Sequence, residues 1–151
     1  AAMGLTSLQA LDGFIATNRS NADTYAERLA RIPGMKLCRY DTTERNNFQY
    51  VVVEYTPQPG GPSRDDLIRL LWAENVMARK YFWPGCHRME PYRTLFPTVG
   101  ERLPQTEAIA DRLMILPTGT GMNTASIHAL CDLLEFAVAQ GPALSARLGA
   151  V

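Results

Sequence analysis

Residues 48–55 read Phe-Gln-Tyr-Val-Val-Val-Glu-Tyr, a run rich in aromatic and β-branched residues. Such residues favour strands, because their side chains pack well on a pleated surface. Both faces of this strand are largely apolar, with Tyr50 and Val52 on one face and Val51 and Val53 on the other. We therefore expect the strand to lie in the interior of a sheet, with cover on each side.

The segment upstream of this strand has the pattern of an amphipathic helix. Apolar residues recur at helical spacing from Leu5 to Ile32, with polar residues between them. Pro33 and Gly34 end the pattern, since proline disfavours helical geometry in the residue before it and glycine readily adopts a turn. The sequence thus predicts one long helix, followed by a short strand over residues 35–39.

The segment downstream alternates helices with short strands. Ser63 and Asp66 have the spacing of a capping box, which predicts a helix that runs to about Glu74. Five further elements are predicted: a strand over residues 76–78, a long ordered loop over 81–104, a helix over 106–112, a strand over 113–116 and a helix after the N-cap Asn123. We expect an α+β fold in which helices cover a small antiparallel or mixed sheet, with residues 1–140 as one domain and 141–151 as a flexible tail.

Composition excludes several classes of function. The 15 basic and 15 acidic residues balance, and the basic ones are scattered, so we expect no nucleic-acid partner. Without a long apolar run or a signal peptide, we expect a soluble, cytoplasmic protein with no membrane partner. Three widely separated cysteines indicate reduced thiols and no zinc or other metal site. Schiff-base chemistry requires a lysine, and the chain has two, Lys36 and Lys80.

Residues 78–93 concentrate the side chains that could carry chemistry. They gather His87, Cys86, several arginines and four aromatic residues in one loop, which suits a polar, ring-shaped or phosphorylated ligand. An aromatic and proline-rich loop can equally well plug the edge of a sheet. Cys86 and His87 make a poor nucleophile and base, because adjacent residues of an extended loop point in opposite directions. The turn at residues 118–121 either presents N–H groups to a phosphate or simply shapes the start of the last helix.

The loop sequence YFWPGCHRMEPY, residues 81–92, resembles a hallmark of the DegT/DnrJ/EryC1/StrS family of sugar aminotransferases. Residues 1–19 resemble the helix that leaves the large domain in that family. Residues 63–67 resemble the helix start before the loop, and residues 116–120 resemble the last strand and turn. The resemblance extends from Ala1 to about Phe136.

This resemblance implies the C-terminal small domain of a fold-type I pyridoxal-phosphate (PLP) enzyme, usually a homodimer. Such enzymes move an amino group from glutamate to a nucleotide-linked keto sugar. The lysine that binds PLP lies in the large domain of the family, and neither Lys36 nor Lys80 matches its motif. We therefore expect a domain separated from its large domain, without catalytic, cofactor or metal residues of its own, and inactive alone.

The resemblance also implies a substrate site in the loop. His87 would hydrogen-bond the sugar or a phosphate, and Tyr81 and Arg88 are further candidates. A neutral histidine both donates and accepts, which suits hydroxyls, whereas the arginine fork suits a diphosphate. Two alternatives stay open: a free-standing, non-catalytic module that binds sugar nucleotides, and an interaction protein that docks on a complete aminotransferase through the first helix.

Overall fold

The valine-rich strand lies inside a four-stranded antiparallel sheet. The structure is a computed structural model that describes residues 2–141 and 143. The strands are β1 (Met35–Leu37), β2 (Val51–Tyr55), β3 (Arg79–Lys80) and β4 (Leu113–Leu116). Strand β2 pairs with β1 on one side and with β4 on the other, and β3 forms the edge beyond β4. The predicted α+β class and the interior position of this strand are confirmed.

Within the described residues, six helices accompany the sheet, and three of them pack together on one of its faces. They are α1 (Ala2–Gln9), α2 (Leu11–Leu29), α3 (Arg64–Ala73), α4 (Tyr92–Leu95), α5 (Pro104–Ala110) and α6 (Thr124–Ala139). Helices α2, α3 and α6 supply most of the core, together with alternate residues of the strands. The largest side chains that they bury completely are Tyr25, Tyr55, Leu29, Leu67, Ile68, Leu71, Met114, Leu116, Ile127 and Leu134.

The opposite face of the sheet is only partly covered by the described residues. Val51, Val53 and Tyr55 are buried, whereas Val52 and Glu54 between them are half-buried. The expectation of cover on each side of β2 is therefore wrong within this part of the chain. The reason is that α2, α3 and α6 all pack on the face that carries the odd-numbered residues of β2.

The predicted long first helix is divided in two at Ala10. This residue has φ −89° and ψ −2°, away from the usual helical ψ of about −42°. Helix α2 buries Tyr25 and Leu29 against the sheet, but α1 has no buried residue. Packing thus anchors α2 alone, and α1 extends from it with both flanks exposed.

Local capping signals predicted helix starts well. Ser63 Oγ accepts from the Asp66 N–H at 3.1 Å, and the Ser63 N–H donates to Asp66 Oδ2 at 2.8 Å, which completes the capping box. Asn123 Oδ1 accepts from the Ser126 N–H at 2.8 Å. Helix α5 begins at Pro104, two residues before the predicted start. The N–H of the first helical residue has no partner within the helix, so a proline, which lacks this N–H, costs no helical hydrogen bond there.

The strand predicted over residues 76–78 is wrong, because the chain turns there. Asn75 adopts φ +58°, and the Val76 N–H donates back to the Leu71 carbonyl oxygen at 2.8 Å. The strand, β3, starts only at Arg79. The predicted flexible tail over residues 141–151 lies almost entirely outside the described residues.

Arg28 joins the two longest helices at their exposed edge. Its Nη2 donates to Asp132 Oδ1 at 2.5 Å, and its Nη1 donates to His128 Nδ1 at 2.7 Å. This contact gives His128 a structural role between α2 and α6. Beneath it, burial raises the pKa of the Cys131 thiol to about 11.

Candidate functional site

The loop that resembles the aminotransferase hallmark leaves the edge strand β3 and returns through α5 to β4. The predicted ordered loop contains short helical turns. Residues Cys86–Arg88 and Val99–Arg102 form 3-10 turns on either side of α4. These turns bring His87, in the middle of the loop, into contact with Glu107 at the start of α5, 20 residues further along the chain.

His87 and Arg88 converge on one carboxylate, that of Glu107 in the first turn of α5. Glu107 Oε1 lies 2.5 Å from His87 Nε2 and 2.7 Å from Arg88 Nε, and Arg88 Nη2 donates to Oε2. The Arg88 guanidinium and the His87 ring hold the pKa of Glu107 at about 2, well below its ordinary value of 4.5. Glu107 is therefore ionised near neutral pH and fixes both side chains.

Two glycines make room for this cluster. Gly85 has φ +90°, and a Cβ there would lie 2.8 Å from His87 Cε1 and 3.0 Å from His87 Nδ1. A Cβ on Gly100 would lie 3.0 Å from Glu107 Oε1. Contacts this short are close to or below the limit for carbon, so each glycine leaves space that the His87–Glu107 pair uses.

A cavity of about 430 Å³ opens beside the cluster. Its walls combine an aromatic ring, prolines and both signs of charge, which is the composition expected of a site for a polar ligand. The lining residues are Trp83, Pro84, His87, Arg88, Arg93, Pro97, Gly100 and Glu101.

The two arginines that line this cavity are each paired with a carboxylate. Arg88 binds Glu107, and Arg93 Nε donates to Glu90 Oε1 at 2.8 Å. Arg88 and Arg93 nevertheless keep more than half of their side-chain surface exposed, at 56% and 68%. The cavity can therefore present guanidinium groups and an oriented imidazole to a ligand, but not a concentrated positive field.

Two of the three predicted site residues come together and the third does not. His87 and Arg88 share Glu107 and line the cavity. Tyr81 instead packs on Phe82, with ring centroids 4.2 Å apart, and faces Tyr50 at 6.2 Å. Tyr81 thus lies between the loop and the sheet rather than on the cavity wall.

Sequence reasoning missed Glu107, Trp83 and Arg93 as site residues. Trp83 and Arg93 were within reach, because they lie in or directly after the stretch that carries the resemblance. No local sequence pattern connects Glu107 to His87. The one signal that Glu107 gives is that it is an acidic residue in the first turn of a helix.

The two lysines of this chain lie on opposite edge strands of the sheet. Lys80 Nζ donates to Asp65 Oδ2 at 2.5 Å and lies 4.0 Å from the centroid of the Trp83 ring. Lys36 is exposed on β1 opposite Glu54, far from the loop in the sheet order. A Schiff-base lysine needs an accessible amine beside groups that hold the cofactor, and neither residue has that setting.

The fold and the loop together match part of an aminotransferase of known structure. This chain is similar to a solved structure of DesI in the presence of its TDP-sugar product, with a TM-score of 0.87 and 42% sequence identity. The match covers 98% of this chain and 37% of the DesI chain. The chain belongs to the DegT/DnrJ/EryC1/StrS aminotransferase family, whose sequence model matches residues 1–135. The resemblance inferred from the loop is confirmed.

Curated relatives in this family are sugar transaminases. The dTDP-4-amino-4,6-dideoxy-D-glucose transaminase of Escherichia coli is 28% identical over 134 residues, which are 89% of this chain. The transaminase of the same name from Shigella dysenteriae is 30% identical over 143 residues, 91% of this chain. This chain spans only about a third of their lengths, 36% and 35%. Among the described helices, none combines the length and apolarity that crossing a membrane requires.

Proposed function

We propose that this chain is the C-terminal small domain of a PLP-dependent aminotransferase that transfers an amino group from glutamate to a nucleotide-linked keto sugar. The observation that carries the proposal is the match to DesI, which combines 42% identity with nearly complete coverage of this chain. The names of the relatives favour a thymidine diphosphate (TDP) sugar, with the amino group at C4 of a 4,6-dideoxy hexose.

In this proposal the loop completes a substrate site whose other walls lie outside the chain. His87 and Arg88 line the cavity and bind the sugar nucleotide, while Tyr81 supports the loop from the sheet side. PLP, when bound to the complete enzyme, supplies the electron sink for amino transfer. Its lysine belongs to the large domain, since Lys80 is engaged by Asp65 and Trp83.

The exposed apolar surface of the first helix is evidence for a large-domain partner. Helix α1 has no buried residue, and Met3, Leu5 and Leu8 on it are 86%, 63% and 65% exposed. Exposed apolar side chains clustered on one helix mark a surface that packs against another protein surface. We propose that the large domain of the same enzyme covers this helix and that two such enzymes form the homodimer typical of the family.

The experiment starts from the complete reading frame that encodes these residues. The purified product is incubated with PLP, glutamate and a TDP-4-keto-6-deoxy hexose, and the TDP-amino sugar is measured. Borohydride reduction followed by peptide mapping then locates the PLP adduct. We expect amino-sugar formation and an adduct on a lysine outside residues 1–151.

Two results would contradict this proposal. One is a stoichiometric adduct on Lys36 or Lys80, which would place the cofactor on this chain. The other is micromolar binding of a TDP-sugar by the 151-residue chain together with a reading frame that has no PLP lysine. That second result would favour the non-catalytic binding module.

A further inference from the structure

The hydrogen bond between His87 and Glu107 fixes the tautomer of the histidine ring. An ionised carboxylate only accepts hydrogen bonds, so the 2.5 Å contact to Glu107 Oε1 requires the proton on His87 Nε2. A neutral imidazole carries one proton, which leaves Nδ1 as an acceptor. The pKa of Glu107, held at about 2, keeps this carboxylate ionised across the neutral range.

The surroundings hold the pair in this arrangement. Arg88 bonds to both oxygens of Glu107, so the carboxylate cannot rotate away from the ring without losing a bidentate partner. Gly100 lies against Glu107 Oε1, and Gly85 lies against the Nδ1 and Cε1 edge of the ring. Because Gly85 has no side chain, that edge is not covered by a Cβ, and His87 forms part of the cavity wall.

We propose that Glu107 is a positioning residue that holds His87 with Nδ1 as an acceptor, so that this ring selects a hydrogen-bond donor of the ligand. For the TDP-sugar of the proposed function, on which the identity of the ligand rests, the donor is a hydroxyl or amino group of the sugar. A phosphate oxygen is itself an acceptor and does not suit Nδ1. An anionic group is left to Arg88, whose side chain is 56% exposed.

The tautomer is tested on the ¹⁵N-labelled 151-residue chain by long-range proton–nitrogen correlation NMR at about pH 8, above the ordinary histidine pKa. The chain has two histidines, and His128→Gln leaves His87 as the one source of ring signals. We expect a protonated Nε2 and an unprotonated Nδ1. Glu107→Ala should shift both signals towards an average of the two tautomers.

Arg88→Met is the matched control, since it removes the other partner of Glu107 and leaves the carboxylate beside His87. We expect it to preserve the tautomer. General loosening of the loop would change the ring signals in both variants, whereas the positioning role changes them only in Glu107→Ala. A protonated Nδ1 in the unmodified chain, or unchanged signals in Glu107→Ala, would overturn the assignment.

Selection of a donor is tested by calorimetry on the product of the complete reading frame, with TDP-glucose and TDP as probes. His87→Ala and Glu107→Ala should each weaken the binding of TDP-glucose about tenfold, which is the loss expected for one hydrogen bond. Neither variant should change the affinity for TDP. Equal weakening of both probes, or of neither, would overturn donor selection. Failure of the unmodified protein to bind TDP-glucose would instead contradict the proposed function, while the tautomer result would still stand.

Discussion

Arg64 and Ala110 lie 46 residues apart in sequence and are joined by a hydrogen bond of 3.0 Å from Nη1 to the carbonyl oxygen. The same guanidinium also donates to the Leu113 carbonyl oxygen and to the Asp65 carboxylate. Arg64 is only 3% exposed, although it is charged and lies in the first turn of α3. It therefore connects the start of α3 to the turn between α5 and β4, through which the loop returns to the sheet.

Replacing this buried arginine should destabilise the chain strongly. Arg64→Met removes a buried charge and leaves the Ala110 and Leu113 carbonyl oxygens without this donor, so we expect the free energy of unfolding to fall by about 3 kcal/mol. Chemical denaturation measures this change. The control is Arg69→Met on the same helix, where the side chain is 55% exposed and pairs with Asp66. That change should alter stability by less than about 0.5 kcal/mol, and equal effects of the two variants would contradict the role of Arg64.

Local features of the sequence predicted much of this fold. The starts of α3 and α6 follow from Ser63 and Asn123, because a cap depends on atoms three residues apart. Strand β4 follows from a short apolar run between turn signals. The failures arise where packing decides: the break at Ala10 separates an anchored helix from an unanchored one, and the turn at Asn75 moves β3 beyond the predicted strand.

The candidate site was predictable only in part for the same reason. His87 and Arg88 could be named because they lie in one contiguous stretch that resembles a family hallmark. Glu107 could not, because its link to His87 crosses 20 residues and several short helical turns, and no periodicity spans that distance. The partner of a loop residue depends on how the loop folds back, which propensities do not encode.

Tyr25 and Tyr55 offer a matched test of one buried hydrogen bond. Both rings are fully buried, but Tyr25 donates to the Pro117 carbonyl oxygen at 2.9 Å. The hydroxyl of Tyr55 has no hydrogen-bond partner within residues 2–141 and 143. Tyr25→Phe should therefore lower the free energy of unfolding by about 1 kcal/mol, whereas Tyr55→Phe should leave it unchanged or raise it. Denaturant titration of both variants checks this, and a larger loss in Tyr55→Phe would refute it.

Gly34 and Gly60 separate the effect of a steric clash from that of backbone conformation. Both have positive φ, +81° and +75°, so alanine at either position adopts a strained backbone. At Gly34 a Cβ would also collide with the Thr56 carbonyl oxygen, whereas at Gly60 no atom lies within 4 Å. Gly60→Ala should lower the free energy of unfolding by about 1 kcal/mol. Gly34→Ala should lower it by about 2 kcal/mol more than Gly60→Ala does, because of the added clash. Similar melting curves for the two variants would show that the turn at Gly34 relaxes.

The Glu107 cluster should make the stability of the chain sensitive to acid. The pKa of Glu107 falls from its ordinary value of 4.5 to about 2 on folding, first through Arg88 and then through His87. Because the unfolded chain binds the proton more readily, the stabilisation is complete above pH 4.5 and is lost as the pH falls to about 2. The free energy of unfolding, measured by denaturation across this range, should therefore fall more steeply in the unmodified chain than in Glu107→Gln.

Arg88→Met tests the cause of this pH dependence. Without the guanidinium, Glu107 loses the larger of its two stabilising contacts, so its pKa in the folded chain should rise towards 4.5. The effect of Glu107→Gln on the free energy of unfolding is therefore measured twice, once in the unmodified chain and once in the presence of Arg88→Met. In the Arg88→Met background that effect should depend less on pH between 4.5 and about 2. An unchanged pH dependence would show that Arg88 does not hold the carboxylate in its ionised form.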